Sequence, residues 1–192
     1  NPEGFDHIVI GDKQYDFPKG KENLKTKLTE YFPHEAEGIT GYIDMVDKMV
    51  TGLGNLGKVK NPATAVRAAG STMSIMRWAT RSGQDLIEHF ITDPLLRGIL
   101  GGQAGDHGVP PSQVSAFVQA GIMHHYFNGG YYPKGGAFAI PKAFVHALKQ
   151  AGGEIRLKTS VEKILLEDGK VRGIRLADGE DIQAKNVISN AD

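Results

Sequence analysis

The segment Gly129-Gly130-Tyr131-Tyr132-Pro133-Lys134-Gly135-Gly136 and the run EIRLKTSVEKILLEDGKVRGIRLADGEDIQAKNVISNAD at residues 154–192 decide how this chain is read. Between them Ile140, Phe144, Val145 and Leu148 recur at helical spacing, and Gly152-Gly153 stops that helix. Glu154 to Leu157 and Val161 to Leu166 alternate as strands. Lys170 to Leu176 and Asp181 to Ala184 extend them into a three-strand meander, broken at Asp168-Gly169 and Asp178-Gly179, dipeptides suited to tight turns. Asn186-Val187-Ile188-Ser189 is short and apolar, as a strand buried on both faces is.

Upstream the character changes. His7-Ile8-Val9-Ile10, a Gly11-Asp12 turn and Gln14-Tyr15-Asp16-Phe17 read as a β-hairpin closed by Pro18. Leu24 and Leu28 predict a helix ending before Pro33. Ile39, Tyr42, Ile43, Val46, Met49 and Val50 predict a second, with the stripe of an amphipathic helix. Residues 51–60 are Gly-rich and read as irregular, after which Asn61-Pro62 opens a helix through Val66. Ile75, Met76, Trp78 and Ala79 continue an apolar face. Short helices follow from Asp85 and from Asp93-Pro94, then a loop over residues 101–111, then a helix launched by Pro110-Pro111-Ser112 that ends near Gly129-Gly130. The fold class is α+β, helical up to residue 130 after its hairpin and strand-rich beyond, with the boundary at residues 128–136.

Charge and composition narrow the partners. Lys plus Arg and Asp plus Glu number 22 each, so no global field favours nucleic acid. The absence of cysteine excludes disulfides, thiolate nucleophiles and Cys-ligated metals. No apolar run approaches the roughly 20 residues that span a bilayer. The first residues carry neither an initiator Met nor a signal sequence, so the native N-terminus is expected upstream and the chain is read as an internal fragment. A cytoplasmic or peripherally membrane-associated location fits these features.

Gly52-Leu53-Gly54-Asn55-Leu56-Gly57 matches the three-glycine dinucleotide pattern in letter but not in context. That pattern works after a buried strand and at a helix start, with an acid about 20 residues on. Here the preceding residues have helical spacing and residues 72–80 contain no Asp or Glu, so the stretch is read as a loop. His107, His124 and His125 do not suggest a metal, because adjacent helical side chains diverge by about 100 degrees and no HxxxH spacing is present. Asp106-His107 lacks a serine elbow to serve. Met45, Met49, Met73, Met76 and Trp78 form stripes suited to a helical core or to the lining of a site for a long apolar ligand. Tyr131 and Tyr132, flanked by glycines, suit close approach of a flat ring or a phosphate, or a domain-crossing strand relieved of crowding.

The element Tyr132-Pro133-Lys134-Gly135-Gly136, the helix and meander after it, Val161-x-x-Ile164 and Asn190-Ala191-Asp192 resemble the FAD-dependent family of phytoene desaturases, carotenoid isomerases and retinol saturases. Gly105-Asp106-His107-Gly108-Val109-Pro110-Pro111-Ser112 and His125-Tyr126-Phe127-Asn128-Gly129-Gly130 look most like the retinol saturase branch. The resemblance implies that residues 1–130 are a substrate-binding helical cap and 131–192 a partial, Rossmann-like FAD domain of the glutathione-reductase type. It implies FAD as cofactor, NAD or NADP as a candidate reductant, and a conjugated isoprenoid as substrate, saturated, desaturated or isomerised at C=C bonds.

By the same resemblance Val161, Gly135 and Gly136 lie at the cofactor, while Tyr131, Tyr132, Met76 and Trp78 face the substrate. His124, His125 and Tyr126 are the polar candidates for a proton donor. Without the glycine fingerprint the fragment is expected to be inactive. Two alternatives stay open: a non-catalytic lipid-binding or membrane-docking module, with peripheral membrane contact, and a piece of an amine-oxidase-like flavoprotein. No nucleic-acid partner is expected, and the oligomeric state is not specified.

Overall fold

Strands β1 (Gly4–Ile10) and β2 (Lys13–Pro18) pair antiparallel with Ile10 opposite Lys13, the expected hairpin around Gly11-Asp12. Alternation along β2 sends Tyr15 and Phe17 into the core and leaves Gln14 and Asp16 outside, where they meet His7. The computed structural model describes residues 4–56 and 74–191, which fall into two compact units, within Asn1–Tyr131 and within Tyr132–Asp192. The helix expected from Asn61-Pro62 lies outside the described residues.

Helix α1 (Lys21–Tyr31) buries Leu24 and Leu28 completely. Pro33 cannot extend it and instead begins a 3₁₀ turn, Pro33–Glu35, that runs straight into α2 (Ala36–Leu56). Ile39, Tyr42, Ile43, Val46 and Met49 of α2 are fully buried, the stripe read from the sequence, and around them lies the core of the first unit. Residues 51–56, expected to be irregular, continue α2 for another turn and a half. Thr51 Oγ1 bonds back to the Asp47 carbonyl, and Gly52 lies against Ile75, so the extra turns have a partner.

Helix α3 (Gly83–Phe90) starts two residues before the expected Asp85, because Ser82 and Asp85 form a reciprocal capping box. Helix α4 (Pro94–Gly101) is capped by Asp93, whose carboxylate accepts from Leu95 and Leu96 amides at 2.8 and 3.0 Å. The expected loop after it winds first into a 3₁₀ segment, Gly102–Asp106. Helix α5 (Ala116–Tyr126) begins later than Pro110-Pro111-Ser112 suggested. The carbonyls of Pro111 and Val114 accept from the Gln84 and Gly83 amides at 2.9 and 2.8 Å, serving the first turn of α3.

Glu35 ties these pieces together. Only 5% exposed, its carboxylate accepts from the Thr92 amide at 2.8 Å, from the Thr92 hydroxyl at 2.6 Å and from the Asp93 amide. Burial alone would raise its pKa, but the donated hydrogen bonds outweigh burial and hold it below the ordinary carboxylate value. One turn on, Gly38 lets the Phe90 carbonyl approach so closely that an added Cβ would sit 2.3 Å from that oxygen.

In the second unit, α6 (Ala139–Gln150) ends as expected. The Gly153 amide reaches back to Leu148 and that of Gly152 to Lys149, the paired bonds of a Schellman motif. Strands β3 (Val161–Glu167), β4 (Lys170–Leu176) and β5 (Asp181–Gln183) form the antiparallel meander, in the order β3-β4-β5. Two expected strands are not formed. Residues 154–157 and 186–189 have no ladder partner among the described residues, and Leu157 and Ile188 stand 77% and 99% exposed rather than buried. An apolar run becomes a strand only when neighbouring strands take up its amides and carbonyls.

The close approach at Gly38 sets a test. Gly38→Ala should cost about 2–3 kcal/mol, because a backbone carbonyl has to retreat. Gly98→Ala, in an exposed helical position with open space around it, should stabilise by about 0.5–1 kcal/mol. Urea midpoints of the two variants would then move in opposite directions, and equal shifts would contradict the packing described.

Glu35 gives a pH dependence. A carboxylate whose folded pKa is depressed contributes stability above its unfolded pKa of about 4.3, lost as pH falls through the lower folded value. Glu35→Gln should remove about 1–3 kcal/mol at neutral pH and flatten the acid limb of the stability curve. Chemical denaturation from pH 7 to pH 3 would show an unchanged acid limb if the clamp were absent.

Candidate functional site

The end of α5 collects most of the polar candidates, and the hairpin explains how. The Gly20 amide, just past β2, donates to the Phe127 carbonyl at 3.0 Å, which fixes the chain as it leaves α5. Lys19 then crosses Gly129: its Cδ lies 3.1 Å from where a Cβ would be, and Gly129 adopts φ +91°. A Cβ on Gly130 would meet Phe5 at 3.2 Å. These two glycines therefore admit the hairpin of the same unit.

Lys19 Nζ donates to the Tyr131 hydroxyl at 3.2 Å, and that hydroxyl donates to the Asn128 carbonyl at 3.1 Å. The Tyr131 ring stays 81% exposed, a flat apolar face whose polar tip is held by a cation. Tyr126 is stacked on Phe5, with ring centroids 4.9 Å apart and planes 6° from parallel. Burial and then the Asp106 carboxylate push its phenol above the ordinary value, so it stays protonated.

His124 and His125 diverge, as adjacent helical residues must. His124 Nε2 sits 3.2 Å from Asp47 Oδ1, at the end of an ionic ladder joining α1, α2 and α5. In that ladder Lys21 Nζ lies 2.9 Å from Asp44 and 2.8 Å from Asp47, and Lys25 lies 2.7 Å from Asp44. The hydrogen bonds to Asp47 and Asp44 raise the Lys21 pKa, so Lys21 keeps its charge at neutral pH. His125 is exposed with its ring edge-on to Tyr126.

Met76 is 55% exposed, whereas Trp78 is 4% exposed and packs against His89 and Phe90. Of the four substrate-facing candidates, Trp78 is thus part of a wall. In the second unit Gly135 and Gly136 follow Pro133 in a turn closed by the Gly136 amide on the Pro133 carbonyl. Both adopt positive φ, and the space beside Gly136 is open. Tyr132 is 77% exposed; Val161, the first residue of β3, is half exposed opposite Leu176. Gly135 and Gly136 thus present open backbone, and Val161 an exposed apolar side chain.

Gly52 to Leu56 cannot cradle a phosphate here, because their amides belong to α2. Among the described residues no group of three or more His, Asp or Glu side chains could hold a metal ion, and no helix is long and apolar enough to cross a membrane. Sequence reasoning missed Lys19 and Asp47. Only the tertiary approach of the hairpin and α2 to α5 gives them partners.

The family model for flavin containing amine oxidoreductases matches residues 10–192, across both units. All-trans-retinol 13,14-reductase from Danio rerio is 29% identical over 97% of this chain and 33% of its own length. The protein of that name from Homo sapiens is 27% identical with the same coverage. Prolycopene isomerase 1, chloroplastic, from an Oncidium hybrid cultivar is 29% identical over 86% of this chain and 30% of its own length. The chain thus spans about a third of the length of the curated relatives it matches. With a match that begins in the hairpin and runs through the helical core to the end of the meander, the chain belongs to the flavin containing amine oxidoreductase family.

Proposed function

We propose that this chain is the substrate-side helical unit and part of the Rossmann-type cofactor domain of an FAD-dependent oxidoreductase that saturates, desaturates or isomerises C=C bonds of a conjugated isoprenoid, a retinol or a carotenoid. The observation that carries this reading is the similarity, over 97% of the chain, to a protein named for the reduction of all-trans-retinol. The prolycopene isomerases extend it to a longer polyene. Within a family named for amines, these relatives favour a polyene as substrate.

The residues of the second unit fit one edge of a flavin. Gly135 and Gly136 would carry backbone past the ring system and Val161 would meet the nucleotide end, since these positions are open. Gly52 to Leu56 lie inside α2 and not at a helix start, so weak FAD binding and no turnover are the expectation for this chain by itself. When bound, the flavin supplies hydride chemistry to the conjugated chain. The protein's own part is to present apolar surface to that chain, with His124, His125 and Tyr126 at the end of α5 as the polar groups that could donate a proton. Tyr131, with its hydroxyl fixed by Lys19, offers an exposed aromatic face for a polyene.

Purified protein should be colourless, and added FAD should keep the visible spectrum of free flavin; a stoichiometric, shifted spectrum would mean that the chain carries its own cradle. For the substrate, all-trans-retinol should quench Trp78, the single Trp, saturably, and benzylamine should not displace it. Tyr131→Ala with Tyr132→Ala should weaken retinol binding about fivefold to tenfold. Displacement by the amine, or no quenching at any retinol concentration, would reject the polyene reading.

A further inference from the structure

Lys19 lies between β2 and α1, exposed, and makes no ion pair among the described residues. The lysines that follow it behave otherwise. Lys21, Lys25 and Lys27 each meet a carboxylate, at distances between 2.7 and 3.2 Å. Lys19 is nevertheless held along its whole length. Its carbonyl accepts from Asn23 Nδ2 at 2.9 Å, and the next amide, that of Gly20, is fixed on the Phe127 carbonyl. Its stem crosses Gly129, with Cδ, Cγ and Cε 3.1, 3.5 and 3.7 Å from where a Cβ would stand. Gly129 is buried at φ +91°, a conformation that favours glycine, so no side chain competes for that path.

A lysine loses rotamer freedom when its stem is fixed, so the place to which its ammonium is brought matters. Nζ lies 5.7 Å from the centre of the Tyr131 ring and donates to the Tyr131 hydroxyl at 3.2 Å. That hydroxyl gives its own proton to the Asn128 carbonyl at 3.1 Å, so it has no donor left for an incoming oxygen. The ammonium does. Its remaining N–H groups have no acceptor among the described residues. Beside it the Tyr131 ring is 81% exposed. The helical unit thus carries a flat apolar face with an unneutralised cation fixed at its polar end.

We propose that Lys19 reads the terminus of the substrate, and that the isoprenoid bound at Tyr131 ends in a carboxylate. The conjugated chain lies on the Tyr131 ring, and the carboxylate accepts from Lys19 Nζ. The chemistry of the donor selects this terminus. A hydrocarbon end gains nothing from an ammonium and an alcohol offers it only a dipole, whereas a carboxylate brings both an acceptor and the opposite charge. Phosphate groups are matched best by the fork of a guanidinium, and Lys19 is a point charge. This inference rests on the polyene reading above and narrows it to chains with an acidic end.

The test compares all-trans-retinoate with all-trans-retinol, each titrated against the fluorescence of Trp78. Retinoate should bind about fivefold to tenfold more tightly, and its advantage should shrink as salt rises. Lys19→Met keeps an apolar stem without the charge. It should bring retinoate to the affinity of retinol and leave retinol itself little changed. Lys19→Arg should keep the preference, and Lys13→Met, which removes an exposed cation elsewhere on the hairpin, should leave the ratio of the two affinities as it was. Palmitate, a carboxylate without a flat conjugated chain, should displace retinoate poorly. Equal affinities in the unaltered protein, an unchanged ratio in Lys19→Met, or displacement by palmitate as effective as that by retinoate would each overturn the proposal while polyene binding stands. Quenching by neither ligand would overturn it together with the polyene reading.

Discussion

A single buried carboxylate sets the geometry of the helical unit. Glu35 stands at the junction of the 3₁₀ turn and α2, and its three donors come from Thr92 and Asp93, at the junction of α3 and α4. A buried charge is tolerated only where hydrogen bonds replace its lost water, so the two junctions must stay together for either to remain folded as seen. The same contact leaves Asp93 placed to cap α4, and it brings the C-terminal end of α3 against Gly38. Capping, helix approach and the position of the core thus share one dependency.

From that frame the candidate residues acquire their roles. α2 presents its apolar stripe to the core and its acids, Asp44 and Asp47, to α1 and α5. His124 is drawn to the end of that ladder, beside Asp47. The hairpin covers the other side of the exit from α5, so that Tyr126 loses water to Phe5 while Tyr131 keeps an open ring. The two tyrosines near the end of α5 thus differ in exposure because of the hairpin, although they lie only five positions apart.

Local signals in the sequence were sufficient for some elements and not for others. The stripe of α2, the Asp93-Pro94 start of α4, the Gly152-Gly153 stop of α6 and the Asp168-Gly169 turn depend on contacts within a few residues, and each appears where the residues put it. Residues 51–56 looked irregular because glycine lowers helix propensity; packing of Gly52 on Ile75 overrides that preference. The late start of α5 depends on where the Pro111 and Val114 carbonyls find donors, which is information held by α3. Of the site residues, Tyr131 and the paired glycines were legible as special, but their partners Lys19 and Phe5 lie over a hundred positions away. Only the folded chain brings those partners into view.

The two apolar runs that form no ladder carry the same lesson into the second unit. Its helix α6 exposes Ile140, Phe144 and Leu148 on one stripe, and β3 exposes Val161, Ile164 and Leu166. Helices and sheets of an α/β layer bury such stripes against each other or against further strands, because an unburied stripe forfeits the main favourable term in folding. Residues 154–157 and 186–189 have strand-like sequences for the same reason, and each needs a neighbour to take up its backbone groups. In the first unit the apolar stripes of α1 and α2 and the inward face of β2 find one another, and a closed core results. The second unit obtains correct turns, correct register and a correct helix stop without such closure. Local chemistry can therefore shape a supersecondary element completely while its burial still depends on an additional surface.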